Sequence, residues 1–472
     1  MRRLALLTVL LLVAVPVPAS AAGRVTLKSL LPQMTDLSLL AEFPDPPYVT
    51  KQFSSYDRAS EAPGTESWFA NSDRGFVLYD GVVEKKTPYF KAGPMQMRAP
   101  DGFFEAGTRV GIAPTHKPMG DYVWAYTTAP DGSAIDGKIP QGYIPKSAIT
   151  MDPQGHVLAD MDGPGCVVRI WSANPADAGK VHIYLDGADK PVIEAPLQDL
   201  LGGKWKTDEP GGSSPRWTPF PDPIACERSR GFNLYFPIAY QKHCKITVEK
   251  SDIYYHVDYR TYPKGTEVET FSLEALGSLE KQITTTVEAL RHTERGPKEP
   301  RKHVPEWQMR DADRVIKPGA KLVVREFQGP RAITSLGIVV HKAKQHPETL
   351  RHLVLVGTFD SAQKPQLWCP VGDLFGSAPG ANAFTCLPLD VGFGEGDTRD
   401  DVSQVSRWWM PFEKSAVFEI QNFGTEPISV YLLAFAGPYT WTDRSMHFHA
   451  RWRTETLKTR PFRDWTYCDL KG

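Results

Sequence analysis

Two short polar runs near the start of the chain, Ser54-Ser55-Tyr56-Asp57-Arg58 and Asn71-Ser72-Asp73-Arg74, carry the side-chain types that recognise sugars. An Asp beside an Arg stays ionised, and Asn and Asp offer the paired acceptors and donors that vicinal hydroxyls match. Polar runs are also ordinary solvated loops, so composition alone does not make a site. Tyr56, Asp57, Arg58, Asn71 and Asp73 are the candidate substrate-binding residues, and Arg58→Ala is expected to weaken sugar binding without unfolding the protein. Trp171 joins them as a stacking candidate. Strand alternation, however, places it on the face of Val167 and Arg169, which favours core packing.

His447 and His449 flank Phe448, and on a strand both imidazoles would face one side, where they could bind a metal. Arg451 and Arg453 continue that face and would repel a cation, so a solvated or sugar-binding surface is the better reading. Signatures for nucleotide binding, zinc proteases, Cys-x-x-Cys sites and serine hydrolases are all missing. No metal and no cofactor is expected. Of the six cysteines, Cys369 and Cys386 are the best single guess for a disulfide because both sit in Pro/Gly-rich sequence. Buried free thiols are an equal alternative, since spacing cannot choose among pairings. Glu249 and Asp258 are read as ordinary residues of neighbouring strands.

The elements that position these residues are mostly strands. Val181, Ile183 and Leu185, and again Ala416, Phe418 and Ile420, alternate with polar residues, the pattern of a strand with one buried face. The run Lys190-Pro191 to Asp199-Leu200 reappears as Lys364-Pro365 to Asp373-Leu374, each matched position 174 residues later. Gly163-Pro164 before one strand is echoed by Gly329-Pro330, and Phe236-Pro237 by Met410-Pro411. Ordered landmarks at this spacing predict a duplicated domain with a core in each copy. The fold class is therefore mainly β: two tandem jelly-roll-like sandwiches from an internal duplication, one connecting helix and a small inserted β domain. Leu273, Leu276, Leu279, Ile283, Val287 and Leu290 carry the helical period, with Ser272 as the cap, and place that helix across the junction of the copies. The expected division is a signal peptide over 1–21, a first sandwich over 22–272 with an SH3-like module at 85–150, helix and linker over 273–308, and a second sandwich over 309–472.

Arg2 and Arg3 precede an apolar run from Leu4 to Val15, and Ala19-Ser20-Ala21 suits signal peptidase. Export to the periplasm or beyond and a soluble mature chain are expected. Removing two positive charges takes the formal charge from −1 to −3. That near-neutral balance argues against a nucleic-acid partner, and the lack of a long apolar stretch against a membrane one.

Taken together, Ser54 to Arg58 with Asn71 and Asp73, Asp162 to Gly165, Arg169-Ile170-Trp171, Asp186-Gly187, Trp409 to Phe412, His447 to Arg453 and Asp464-Trp465 resemble glycoside hydrolase family 172. The resemblance implies a double jelly roll assembling into trimers or hexamers. It further implies retaining cleavage of fructofuranosyl or D-arabinofuranosyl linkages in a carbohydrate substrate. Retention needs two carboxylates about 5–5.5 Å apart. In the family these follow the His-x-Arg-Trp and Asp-Trp elements, so they are expected past Gly472, with no catalytic residue assigned and this chain inactive alone. Gly394-Glu395-Gly396-Asp397 and Pro63-Gly64-Thr65-Glu66 imitate the motifs in the wrong places. The alternative function is a non-catalytic carbohydrate-binding or capsid-like structural protein.

Overall fold

The computed structural model describes residues 23–58, 73–93, 99–128, 139–207, 218–291 and 314–456. Strands dominate, in antiparallel sheets that pair off into two sandwiches. In the first sandwich one sheet runs Val49–Ser54, Tyr255–Thr261, Gly165–Ser172, Gly231–Leu234, Ala225–Arg228, with Ile238–Tyr240 also paired to Gly165–Ser172. The facing sheet runs Ile193–Pro196, Lys180–Leu185, His243–Val248, His156–Asp162. Between them lies a continuous core that includes Phe53, Ile170, Ile183, Ile246, Val257 and Tyr259.

The second sandwich repeats this plan. Arg331–Val340 lies between Ile428–Pro438 and Val402–Ser406 and also takes Met410–Phe412, while Ser415–Asn422 pairs with Leu353–Phe359, which pairs with Leu367–Pro370. Its core, including Ile333, Leu336, Leu355, Phe412, Phe418 and Ile420, is separate from the first. The landmarks fall at equivalent points. Gly163-Pro164 and Gly329-Pro330 are both cis. The Gly163 amide donates to the Lys242 carbonyl at 2.7 Å and the Gly329 amide to Lys414 at 2.8 Å. A short helix follows Pro196 in one unit and Pro370 in the other.

Asp186 and Asp360 sit at matching turns with φ of 54° and 52°. Asp186 accepts from the amides of Lys242 and His243 at 2.6 and 3.1 Å. Asp360 accepts from Lys414 and Ser415 at 2.6 and 3.0 Å. Burial pushes both carboxyls up, but these donors outweigh it and hold them below the usual carboxylate range.

Two departures from the sequence reading concern helices and thiols. The predicted connecting helix is two, Leu273–Ser278 and Glu280–Arg291, packed on the first core through Leu276, Ile283 and Val287. Ser272 caps the first by accepting from the Ala275 amide at 3.3 Å. Cys369 and Cys386 are not joined: all five cysteines among the described residues are free. Cys369 lies on a core strand and Cys386 in a loop, so the shared Pro/Gly composition did not signal proximity.

A separate sheet, Gln141–Pro145, Tyr122–Tyr126, Thr108–Ile112, Gly81–Val83, Ile149–Met151, has its own small core of Val83, Phe104, Val110, Val123 and Ile144. It is tied to the first sandwich through the buried Asp160, which accepts from the Tyr79 hydroxyl at 2.5 Å, His243 Nε2 at 2.7 Å and Arg109 at 2.9 Å. Burial raises the Asp160 carboxyl, but these donors hold it below its ordinary value; hydrogen bonding to Asp160 raises the His243 imidazole. A second tie links the units end to end. The Phe43 amide donates to the Arg444 carbonyl, Arg444 donates back to the Phe43 carbonyl at 2.6 Å, and the Met446 amide donates to Ala41.

Candidate functional site

The strand Val49–Ser54 leads to the candidate residues Tyr56, Asp57 and Arg58 at one end of the first sandwich. Register places Ser54 opposite His256, His256 opposite Trp171, and Trp171 opposite Asn233. Ser54, His256, Trp171 and Asn233 thus form one row across four strands, and the Tyr56–Arg58 segment leaves from its edge. The amide of Asp57 donates to Asp73 Oδ1 at 3.0 Å, so the two predicted runs do meet. Asn71 lies outside the described residues.

Trp171 is on the outer face, not in the core. A β-bulge between Val167 and Arg169 admits Val168 as an extra residue, which resets the alternation so that Val167 and Ile170 point inward while Arg169 and Trp171 point out. The Trp171 ring lies 4.8 Å from the His256 ring. Burial, with help from Arg169 and against Asp258, lowers the His256 pKa, so its imidazole is neutral at neutral pH. Arg169 reaches Asn233 Oδ1 at 3.0 Å and Asp258 at 3.4 Å, and Gln52 donates to Asp258 at 2.7 Å. The result is an aromatic platform bordered by an imidazole, a guanidinium, a carboxylate and two amides. His256 and Asn233 were missed because only strand pairing brings them beside Trp171.

Arg58 points the other way. Only 1% exposed, it donates to the carbonyls of Ser54 at 2.8 Å, Phe76 at 3.0 Å and Tyr56 at 3.3 Å. Its guanidinium carbon sits 4.0 Å from the Tyr56 ring centre and 5.8 Å from that of Tyr126. No carboxylate among the described residues pairs with it, and among those residues its Nε and the Tyr56 hydroxyl are buried without a hydrogen-bond partner. Burial, opposed by Arg58, pushes Tyr255 up to about 12. The expectation that Arg58→Ala spares the fold is corrected: this side chain anchors the loop from within.

The other candidates are placed as follows. Glu249 and Asp258 are not on neighbouring strands. Glu249 follows a strand of one sheet and accepts from the Lys180 amide at 2.9 Å, whereas Asp258 belongs to the facing sheet. Glu395 and Asp397 stand exposed in the loop before Val402–Ser406. His447 Nε2 donates to Asp360 at 2.7 Å, its ring 4.8 Å from Trp441, and it precedes the Ala450–Arg451 strand rather than lying on it.

Fold and surface row define a tandem β-sandwich protein whose first unit carries Trp171 among polar side chains on an outer face. The chain belongs to the GH172 family: the GH172 first beta-sandwich domain matches residues 46–90 and 136–278, and the GH172 domain-like unit matches 306–431. The gap in the first match holds two strands of the small sheet, Thr108–Ile112 and Tyr122–Tyr126, and the strand Gly102–Phe104, which pairs with Thr87–Tyr89 in a separate hairpin. None of the curated proteins matches. Among solved structures, the chain is similar to the STIV MCP at 9% identity over 59% of this chain and 92% of that one, with a TM-score of 0.17. It is also similar to AerE from Microcystis aeruginosa at 8% identity over 74% and 98%, with a TM-score of 0.12. Scores this low carry no weight for fold or function. Membership of the family supports a glycoside hydrolase-like function.

Proposed function

We propose that this chain is an exported protein that recognises fructofuranosyl or D-arabinofuranosyl residues on the row Ser54–His256–Trp171–Asn233, and that the residues described here bind without hydrolysing. Trp171 supplies a stacking face; Asp73, with Asn71, supplies hydroxyl partners; and Arg58 holds the Asp57 segment from below. The observation that carries the reading is the outward turn of Trp171 at the bulge, beside a neutral imidazole and a polar border. Retaining hydrolysis would need a carboxylate pair about 5–5.5 Å apart. Asp258 is bound to Arg169 and Gln52, and Asp73 to the Asp57 amide. Assembly into a homotrimer or hexamer belongs to the same proposal.

Calorimetric titration with methyl fructofuranoside and methyl D-arabinofuranoside tests it. Trp171→Ala should weaken binding about tenfold, the order of one aromatic contact, with an unchanged melting temperature. Equal affinity for the variant would refute the platform, and release of free sugar by the wild-type chain would refute the binding-only role.

A further inference from the structure

A cleft of about 510 Å³ opens between the two sandwiches and meets the polar row at Tyr235, whose hydroxyl donates to Asn233 at 3.1 Å. Met34, Val168 and Leu290 line it from the first unit, and Leu387 and Cys386 from the loop of the second. Val168 is the bulge residue, so the same irregularity that turns Trp171 outward also supplies an apolar wall here. Arg260 and Arg228 stand at this apolar surface, and no Asp or Glu among the described residues lines it. Arg228 is paired with Asp222 at 2.8 Å. Arg260 is held by Gln33 at 2.6 Å and lies 4.2 Å from the Tyr48 ring centre, with no carboxylate partner among the described residues.

We infer that this cleft binds a single-chain amphipathic anion, a fatty-acid-like molecule whose head meets Arg260 and whose chain runs along Met34, Val168, Leu290 and Leu387. The volume falls in the range of about 300–1,000 Å³ usual for small-molecule sites. A guanidinium lacking an acidic partner favours an anionic head through charge-assisted hydrogen bonds. The wall favours an alkyl chain, each buried methylene tightening binding roughly fourfold.

Displacement of a fluorescent fatty acid by hexanoate, octanoate, decanoate and decanol, with the full chain, tests this. The expected result is a rise in affinity along the carboxylate series, decanol at least about tenfold weaker than decanoate, and loss of that difference in Arg260→Gln. Should Arg260→Gln fail to fold, Leu387→Trp fills the cleft from an exposed loop and should abolish displacement in a folded protein. Cys386 gives an independent readout: in a Cys468→Ser background, saturating decanoate should slow its alkylation by maleimide. Equal binding of decanoate and decanol would overturn the inference. So would undiminished binding in Leu387→Trp, or a Cys386 thiol that becomes reactive only when an oligomer dissociates, since a second copy would then occupy the cleft.

Discussion

Replacing Arg58 with alanine should destabilise the segment that leaves the Val49–Ser54 strand, and the cost can be worked from its partners. The side chain satisfies carbonyls of Ser54, Tyr56 and Phe76, with the Phe76 bond fully buried. Each stripped acceptor costs about 1–3 kcal/mol, and the lost cation–π contact with Tyr56 adds about 0.5–2 kcal/mol. Against this, removing a buried cation recovers a desolvation penalty of several kcal/mol. The guanidinium is already solvated by three carbonyls and a ring face, so the recovery is partial and a net loss of about 2–4 kcal/mol is expected. For a unit of this size that is a fall of roughly 5–15 °C in melting temperature. Arg58→Met separates the terms, because it keeps most of the volume and removes the charge. Thermal and urea melts followed by tryptophan fluorescence should rank wild type above Arg58→Met above Arg58→Ala. A methionine variant more stable than wild type, or an alanine variant that melts unchanged, would refute the reasoning.

Three further outcomes follow from the fold. Asp160 is held below its ordinary value of 3.8 and His243 above its ordinary 6.5. The carboxylate's contribution is present above 3.8 and lost as pH falls through its lowered value; the imidazole's is present below 6.5 and lost as pH rises through its raised value. The stability gap between wild type and Asp160→Asn, from urea melts across pH, should therefore be widest between these limits and narrow on both sides. Gly163→Ala and Gly329→Ala should each destabilise by about 1–3 kcal/mol, since a Cβ would come within 2.5 Å of the Gln241 and Glu413 carbonyl oxygens respectively; chemical denaturation of the two variants checks it. Alkylation after denaturation without reduction should modify both Cys369 and Cys386, as mass spectrometry of the peptides would show.

What could be read from sequence was whatever depends on neighbours along the chain. Alternation at Val181–Leu185 and Ala416–Ile420 marked real strands, and the Ser272 cap marked a real helix start. The duplicated Pro196 and Pro370 landmarks each immediately precede a short helix. What failed depends on pairing. A single extra residue at Val168 reversed the predicted facing of Trp171, and nothing in the local pattern announces a bulge. Arg58 reads as a surface residue until Phe76 and Tyr126 close over it from distant segments. His256 entered the candidate row only through its register with Ser54 and Trp171.

The clasp between Ala41–Phe43 and Arg444–Met446 makes the polypeptide a fastened belt whose buckle joins segments some four hundred positions apart. During synthesis the near half of that buckle must wait, so the first sandwich has to hold itself together on its own core before the strap is drawn. Once drawn, it holds an early segment of the chain against a late one.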